Sequence, residues 1–524
     1  MTGQLGERGL FHLLVFTALI SGAMVMVVEV LGSKVIGPVF GVSLFVWTSL
    51  IAVTLVALAV GYALGGMLSD RHPSPDALYG LLAAAGLLVL LVPFAKSPVL
   101  RACQPLGLRL GAFSSAAALF GPPLILLGAV SPYVVKLATR EIDRIGRTVG
   151  VFYSVSTVGS FAGTVLAGFY LLAYFSVGRI FQMVGAVLIA LAVVYFVFFR
   201  RRWLLAGLLV FPALLAHDRP LRSVTTENGT RVDEIHAEEG YYGHLTVVDY
   251  HYRSKRYREL LIDGQVQGAI DTENGLSIFP YTYFLDLIPH RMNPHGRDCL
   301  VIGLGAGIVP RWYERNGVTV DVVDINADLV EVAREYFDFE PSGEVIVADA
   351  RYYLRTTRKT YDYVILDVFN GDTTPEHVLS VESFHLVKQR LTPGGILALN
   401  VMGSLRRDAF MTASIARTLA EVFRTVEIYP VFSEDLEVQA GSVALIAHDG
   451  TARSFDAGAF VGHPVHSLAR RKMGARPGRR FRFPSGTPAI VLTDDYNPAG
   501  FFDLWLKEQA RRGILSDIYL ELLL

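Results

Sequence analysis

The sequence predicts two structural parts: a multi-pass α-helical membrane domain, and after it an α/β domain with a parallel, doubly wound sheet that is preceded by a small β-hairpin region. Three observations support this prediction. The 524 residues are 52% hydrophobic with a mean hydropathy of +0.41, which is too apolar for a soluble protein and too long for one domain. The apolar excess lies before residue 217. After residue 290, apolar strand patterns alternate with helical patterns, which indicates a parallel sheet.

Six apolar runs in the first part have the length of about 20 residues that a bilayer core requires. They are residues 11–32, 43–67, 78–95, 112–135, 148–173 and 177–199. A seventh run at 203–216 contains Pro212 and, at ~1.5 Å per residue, is too short for a hydrocarbon core of ~30 Å. We therefore predict six spanning helices, with the 203–216 run either lying in the interface or forming a seventh.

Basic residues predict the orientation of these helices. With the N-terminus in the cytoplasm, the loops on that side carry more Lys and Arg than the opposite loops, including the run Arg200–Arg202 after the sixth helix. An even number of crossings then leaves the second part in the cytoplasm. We predict a multi-pass protein of the cell (inner) membrane, in contact with the lipid bilayer, whose α/β domain is cytoplasmic.

Composition and patterning divide the chain into residues 1–216 for the helical domain, 217–290 for a linker and small β region, and 291–524 for the α/β domain. In the middle region, alternating strands flank a turn at Asp263-Gly264, which predicts a β-hairpin. The net charge of −1 argues against a nucleic-acid partner. Cys103 and Cys299 lie one in each part, and no Cys–His spacing is typical of a metal site, so neither a disulfide framework nor a metal is predicted.

The predicted strand ends carry the residues of a nucleoside site. The first strand ends in the glycine loop Gly303, Gly305 and Gly307, where a main chain without side chains can approach a ligand. Asp324 follows about 20 residues later, where an acid can bind a ribose diol. Asp349, after the third strand, could accept a hydrogen bond from an adenine amino group. This combination is the layout of the adenosylmethionine-dependent transferases, and it predicts a Rossmann-like domain of the class I methyltransferase type.

Residues 241–402 resemble the spermidine synthases, which are polyamine aminopropyltransferases. The similar stretches are "LIDGQVQGAID", "VIGLGAG" and "RYYLRTTRKTYDYVILDV", the last of which leads into that family's catalytic aspartate. The apolar half, through "LGAVSPYVVKLA" among other stretches, and the segments "DVFNGDTTPEHVLS" and "LTDDYNP" resemble the membrane-fused branch of the family.

The resemblance implies an enzyme of polyamine biosynthesis, which transfers an aminopropyl group from a sulfonium adenosyl cofactor to an amine and releases methylthioadenosine. By this resemblance Asp367 is the base and Tyr281 its neighbour. The implied cofactor residues are the three loop glycines, Gln267, Asp324, Asp349 and Ala350. The expected acceptor-binding residues are Tyr242, Asp372, Asp494 and Asp495.

The sequence also departs from the family pattern. Ala306 stands where family members usually carry an aspartate that holds the ammonium group of decarboxylated adenosylmethionine, and Asn370, Thr282 and Gly243 replace other polar groups that read amine charges. Without an aspartate at 306, nothing there repels the carboxylate of intact S-adenosylmethionine. The cosubstrate is therefore decarboxylated S-adenosylmethionine or S-adenosylmethionine itself.

Three functions follow from these observations. Aminopropyl transfer to a small amine is the first. Chemistry on intact adenosylmethionine, by aminocarboxypropyl transfer, methyl transfer or internal cleavage, is the second. A non-catalytic nucleoside-binding sensor or transporter subunit is the third, although retention of Asp367 argues against it because binding alone needs no base there. The identity of the acceptor and the choice between a monomer and a homo-oligomer stay open.

Overall fold

A computed structural model gives the fold of the chain. It describes residues 2–41, 44–139, 145–209, 221–226, 229–369, 374–406, 408–432, 440–450, 455, 457–460, 462–473, 477–498 and 511–512. The chain forms two compact units. The first contains the helical region and the hairpin tip Glu238–Gly243, and the second contains Leu221–Ala237 and the α/β region from His244 onward.

Six long helices make up the described helical region. They are α1 (Thr2–Phe40), α2 (Leu44–Arg71), α3 (Pro75–Cys103), α4 (Gly107–Ala138), α5 (Ile145–Leu166) and α6 (Val177–Arg200). A π-helical turn at Ala167–Leu171 and a last turn at Leu172–Tyr174 continue α5. Each of the six predicted runs falls within these segments, apart from residue 43 at the start of the second run, which lies outside the described part.

Within the described residues, five helical segments are long and apolar enough to cross a membrane. They are Gly9–Phe40, Phe45–Arg71, Pro75–Ala138, Ile145–Tyr174 and Val177–Arg200. The third has 64 residues and contains both α3 and α4, which a short 3-10 turn at Gln104–Leu106 separates. Of the run at 203–216, Trp203–Leu209 forms a 3-10 helix and the remainder lies outside the described residues, as does the predicted boundary at residue 216.

The α/β unit begins with a five-stranded antiparallel sheet, which is larger than the expected hairpin. Its strands are β1 (Ser223–Thr225), β2 (Arg231–Gly240), β3 (Gly243–Tyr252), β4 (Lys255–Ile262) and β5 (Gln265–Asp271), paired in sequence order. The predicted turn joins β4 to β5. Asp263 and Gly264 both adopt positive φ, at 48° and 75°, which is the geometry of a two-residue hairpin turn that matches the twist of its strands.

The second sheet has seven strands. They are β6 (Asp298–Ile302), β7 (Thr319–Asp324), β8 (Val345–Val347), β9 (Tyr361–Leu366), β10 (Leu391–Ser404), β11 (Thr425–Pro430) and β12 (Ala440–His448). Their order is β11-β12-β10-β9-β6-β7-β8. The strand β12 pairs antiparallel with both β10 and β11, and the pairs from β10 to β8 are parallel. The strand order reverses between β6 and β9, so a crevice opens beyond their carboxyl ends, where ligands of such sheets bind.

Helices of the α/β unit lie between the strands along the chain, and one more follows the last strand. They are α7 (Pro280–Met292), α8 (Ile308–Arg315), α9 (Ala327–Phe337), α10 (Ala350–Thr356), α11 (Val381–Gln389), α12 (Phe410–Val422) and α13 (Ser467–Lys472). The central strands are apolar on both faces, and Leu300, Val364 and Leu397 are fully buried. Such burial is expected when helices cover both faces of a parallel sheet. The helical region and the Rossmann-like α/β domain are therefore confirmed, whereas the crossing of a membrane stays a prediction.

Candidate active site

The glycine loop lies at the carboxyl end of β6, between two neighbouring strands. The Gly303 N–H donates to the carbonyl oxygen of Val323 at 2.8 Å. Gly303 has φ of 95°, and a Cβ there would overlap the main-chain carbonyl oxygen of Asp367. At Gly305, with φ of 51°, a Cβ would lie 2.9 Å from the carbonyl oxygen of Gln267. Glycine is therefore required at both positions, and the loop is in contact with two other predicted site residues, Asp367 and Gln267.

Asp324 ends β7 and is held by main-chain donors. One carboxylate oxygen accepts from the Leu304 N–H at 2.7 Å, and the other accepts from the Asn326 N–H at 2.8 Å. Burial raises the pKa of Asp324, and these backbone hydrogen bonds oppose that shift. A carboxylate offers about four acceptor positions, and the main-chain donors do not occupy all of them, so the carboxylate can also accept from a ribose hydroxyl.

Asp349 precedes α10 and caps it, because one oxygen accepts from the Tyr352 N–H at 2.9 Å. The other oxygen lies 3.2 Å from Nε2 of His377, a residue that the sequence did not single out. Ala350 is the first residue of the capped helix. The cap and the expected adenine contact can use different oxygens, since the cap occupies only one.

Asp367 follows the last residue of β9 and lies in the crevice beside the glycine loop. Its N–H donates to the Ile302 carbonyl at 2.9 Å, and its Oδ1 accepts from Asn400 Nδ2, also at 2.9 Å. Burial raises the pKa of Asp367 to about 6, and the Asn400 hydrogen bond opposes the shift. A carboxylate with this pKa is ionised at neutral pH and is still a stronger base than an exposed one.

Tyr281 lies in the first turn of α7, within electrostatic range of Asp367. Burial raises the pKa of Tyr281 well above its usual value, and the charges of Asp367 and Asp286 raise it further. The tyrosine therefore keeps its proton at any physiological pH and can act only as a hydroxyl donor or acceptor. The structure brings Asp367 against the glycine loop, and it places Tyr281 within electrostatic range of Asp367. The roles of these residues in one site stay predictions.

The expected acceptor residues are not all placed in this crevice. Both carboxylate oxygens of Asp494 accept from Arg351 at 2.7 Å, so its charge is already paired. Asp495 is exposed next to it. Tyr242 belongs to the hairpin tip in the first unit, and Asp372 lies outside the described residues. An acceptor-binding role for these four residues stays a prediction.

Two polar residues of this region were missed from the sequence. Asn400 lies in β10, is 1% exposed and orients Asp367. Asp286 lies in α7 and is 2% exposed. The available signal was a single polar residue within an apolar run, in "GGILALNVMG" and "TYFLDLI". Such residues are buried only where they have a partner or a function.

The strand order, the glycine loop and the aspartates at the ends of β7 and β9 define an α/β domain of the class I methyltransferase type. Residues 278–433 match the family model of the spermine/spermidine synthase domain. The C-terminal part of the chain therefore carries a spermine/spermidine synthase domain. This confirms for that part the resemblance drawn from the motifs.

Individual proteins are also similar to this chain. A polyamine aminopropyltransferase of Vibrio vulnificus is 33% identical over 162 residues, 29% of this chain and 53% of that protein. Polyamine aminopropyltransferase 1 of Streptomyces coelicolor is 27% identical over 423 residues, 74% of this chain and 75% of that protein. A crystal structure of a probable spermidine synthase from Corynebacterium glutamicum has a TM-score of 0.39 and 20% identity, covering 48% of this chain and 98% of that chain. The chain spans about half the length of the Vibrio relative.

Proposed function

We propose that the protein is a membrane-anchored transferase that moves an aminopropyl group from decarboxylated S-adenosylmethionine to an amine acceptor and releases methylthioadenosine. The observation that carries this proposal is the Asp367 carboxylate, which lies in the crevice beside the glycine loop and accepts a side-chain hydrogen bond from Asn400. The match of residues 278–433 to the spermine/spermidine synthase domain supports it.

The proposed reaction needs a base at this position. The nitrogen of a neutral acceptor amine attacks the carbon next to the sulfonium, an N–C bond forms, and the C–S bond breaks with its electron pair passing to sulfur. The acceptor nitrogen is then positively charged, and its proton passes to Asp367. Asn400 donates to Oδ1 of Asp367, and within the described residues no side chain donates to the other oxygen, so that oxygen can accept the proton.

The remaining residues of the site would hold the cofactor. Asp324 would bind the ribose diol with its free acceptor positions, and Asp349 would accept from the adenine amino group beside His377. Gln267 lies against the glycine loop and would border the aminopropyl arm. Holding the two reactants close together and aligned can account for much of the rate in such bimolecular transfers.

One observation favours the second candidate, chemistry on intact S-adenosylmethionine. Ala306 is 3% exposed, and a Cβ at Gly268 would lie only 2.8 Å from the Ala306 Cβ. Because residue 306 is an alanine, it carries no carboxylate that would repel the carboxylate of intact S-adenosylmethionine. Aminopropyl transfer is retained as first candidate because residues 278–433 match the spermine/spermidine synthase domain and because two similar proteins, from Vibrio vulnificus and Streptomyces coelicolor, are aminopropyltransferases by name.

The test is an assay of methylthioadenosine release by the purified full chain. Decarboxylated and intact S-adenosylmethionine are each incubated with and without a panel of amines. Amine-dependent release from the decarboxylated cofactor is the expected result. Release from intact cofactor alone would support the second candidate, and binding of methylthioadenosine without turnover of either cofactor would support a sensor.

The membrane location is part of the proposal. Five segments long and apolar enough to span support it, and the excess of basic residues on one side favours a cytoplasmic α/β domain. In a Cys103→Ser background, Arg358→Cys would place a thiol on the α/β surface, since Arg358 is exposed and Cys299 is buried. An impermeant thiol reagent is expected to label Arg358→Cys in lysed cells only. Labelling in intact cells would place this domain outside.

A further inference from the structure

Two segments that resemble the membrane-fused branch of the family meet in the α/β unit. They are "PEHVLS" at 375–380 and "LTDDYNP" at 492–498. The Asn497 side-chain amide donates to the carbonyl oxygen of Glu376 at 2.7 Å, across 121 residues. The Val381 N–H donates to the carbonyl oxygen of Leu492 at 2.8 Å, and Leu492 is fully buried. The transfer mechanism above uses no residue of the second segment.

Arg351, in the first turn of α10, joins both segments. Its guanidinium donates to both carboxylate oxygens of Asp494, each at 2.7 Å, and its Nη1 also donates to the carbonyl oxygen of His377 at 3.2 Å. The hydrogen bond from Arg351 lowers the pKa of Asp494, so both partners are charged at neutral pH. A bidentate arginine–carboxylate pair fixes direction as well as distance. The pair therefore holds the main chain at His377 in place.

His377 in turn contacts Asp349, the residue at the end of β8 that is expected to bind adenine. Nε2 of His377 lies 3.2 Å from Oδ2 of Asp349, while Oδ1 accepts from the Tyr352 N–H at 2.9 Å. Nε2 is a donor in the imidazolium ion and in one neutral tautomer of histidine. Each carboxylate oxygen has two acceptor positions, so Oδ2 can accept from His377 and from a ligand together. Both oxygens of Asp349 are thus held in one orientation.

We propose that His377 positions the Asp349 carboxylate for the 6-amino group of adenine. Arg351 acts indirectly, because its pair with Asp494 holds His377. The proposal rests on the proposed function, since it concerns the adenosyl end of the same site. It assigns the "LTDDYNP" segment to recognition of the base, whereas the sequence predicted that Asp494 binds the acceptor. Only Asp349 touches the base, and the other three residues position it.

The consequence of this arrangement is discrimination between bases. The 6-amino group of adenine donates a hydrogen bond, whereas hypoxanthine presents a carbonyl oxygen there, which the Asp349 carboxylate repels. A carboxylate fixed in one orientation cannot turn away from the wrong base, so that base is left with an unpaired polar contact. Loss of the His377 donor should therefore reduce the preference for adenine over hypoxanthine.

The experiment is calorimetry on the full chain with methylthioadenosine and methylthioinosine as probes. We expect the wild type to prefer methylthioadenosine, and His377→Met to reduce that preference ~3–10-fold, because methionine cannot donate. His377→Gln should keep the preference within about twofold of wild type, because its side-chain amide can donate in place of Nε2. The His377 side chain is 51% exposed, so neither substitution disturbs the core.

Two results with these variants would overturn the proposal. The first is an unchanged preference in His377→Met, which would mean that His377 does not orient the carboxylate. The second is an equal loss in the methionine and glutamine variants, because the effect would then not depend on a hydrogen-bond donor.

A double-mutant cycle tests the role of Arg351. Arg351→Lys keeps the charge but cannot bind Asp494 through two parallel hydrogen bonds. If Arg351 acts through His377, Arg351→Lys reduces the preference in the wild type and causes no further loss in the His377→Met background. Asp494→Ala should behave in the same way, with Asp495→Ala, at the exposed neighbour, as matched control. Additive losses would overturn this role of the ion pair.

The outcome is separable from the proposed function. That function requires binding of methylthioadenosine and amine-dependent turnover, and neither depends on how strongly hypoxanthine is rejected. A wild type that turns over but binds both nucleosides alike would preserve the proposed function and overturn this proposal. A wild type that does not bind methylthioadenosine would overturn both.

Discussion

Two strand-end aspartates of the same sheet are held in different ways. Asp324, after the second strand of the parallel core, accepts from the main-chain N–H groups of Leu304 and Asn326. Asp367, two strands away, accepts from one side-chain amide, that of Asn400. Burial raises the pKa of both, but for Asp324 several backbone hydrogen bonds oppose it. A carboxylate fixed by main-chain donors suits ligand binding, whereas one with few donors suits proton transfer.

The largest effect is expected on turnover, when Asp367 is replaced. Asp367→Asn removes the base while keeping its size and its contact with Asn400, so we expect turnover to fall ~10²–10⁴-fold. Methylthioadenosine affinity should change less than threefold. The measurements are steady-state release of methylthioadenosine and calorimetry, with Asp298→Asn as control. A variant that keeps more than a tenth of the wild-type rate would exclude Asp367 as the base and remove the contrast with Asp324.

A charge introduced beside the glycine loop should change the choice of cofactor. In Ala306→Asp, the new carboxylate would repel the carboxylate of intact S-adenosylmethionine, which the decarboxylated form lacks. A like-charge contact is worth a few kcal/mol, so the ratio of the dissociation constants of the intact and decarboxylated cofactors should change by tens- to hundreds-fold. Ala306→Asn is the control, since the site is packed against Gly268 and both variants add the same volume. If both variants give the same ratio, the cofactor tail does not approach residue 306.

At the ribose side, Asp324→Ala should weaken binding rather than chemistry. Loss of two hydrogen bonds from a charged acceptor to the diol is expected to weaken methylthioadenosine and cofactor alike by ~10–100-fold, with turnover at saturation less affected. Calorimetry with both ligands measures this. Asp324→Asn, which keeps one acceptor oxygen, should lie between wild type and alanine. Unchanged affinity for either ligand would place the ribose elsewhere.

The smallest effect concerns stability. Because the pKa of Asp367 is about 6 in the folded protein and near 4 when unfolded, its contribution to stability is present below pH 4 and is lost as pH rises through 6. Asp367→Asn does not titrate, so its stability relative to wild type should increase from pH 4.5 to pH 8 by about 2 kcal/mol at most. Thermal unfolding of both proteins at the two pH values tests this. A constant difference would mean that Asp367 is not desolvated.

The parts of the site that the sequence predicts are those made by residues close along the chain. A strand, a glycine turn and a helix follow one another at Gly303, and Asp324 forms its contacts with Asn326 and with the loop 20 residues away. The membrane-length helices could also be predicted from the sequence, because the thickness of a bilayer fixes the length of an apolar run that spans it. The position of the short 3-10 turn between α3 and α4 was not visible in the pattern.

The sequence by itself determined the two-part architecture, and it was enough to propose the strand ends as a nucleoside site and Asp367 as the base, because periodicity, glycine turns and strand-end acids act over a few residues. Only the tertiary structure decided which charged side chains form ion pairs and which carboxyl groups are buried without an ion pair among the described residues. Arg351 and Asp494 meet across 143 residues, and Asn400 reaches Asp367 across 33. Burial of Asp286 likewise depends on how α7 packs on the sheet. Desolvation and long-range pairing are properties of the folded surroundings, so no local pattern contains them.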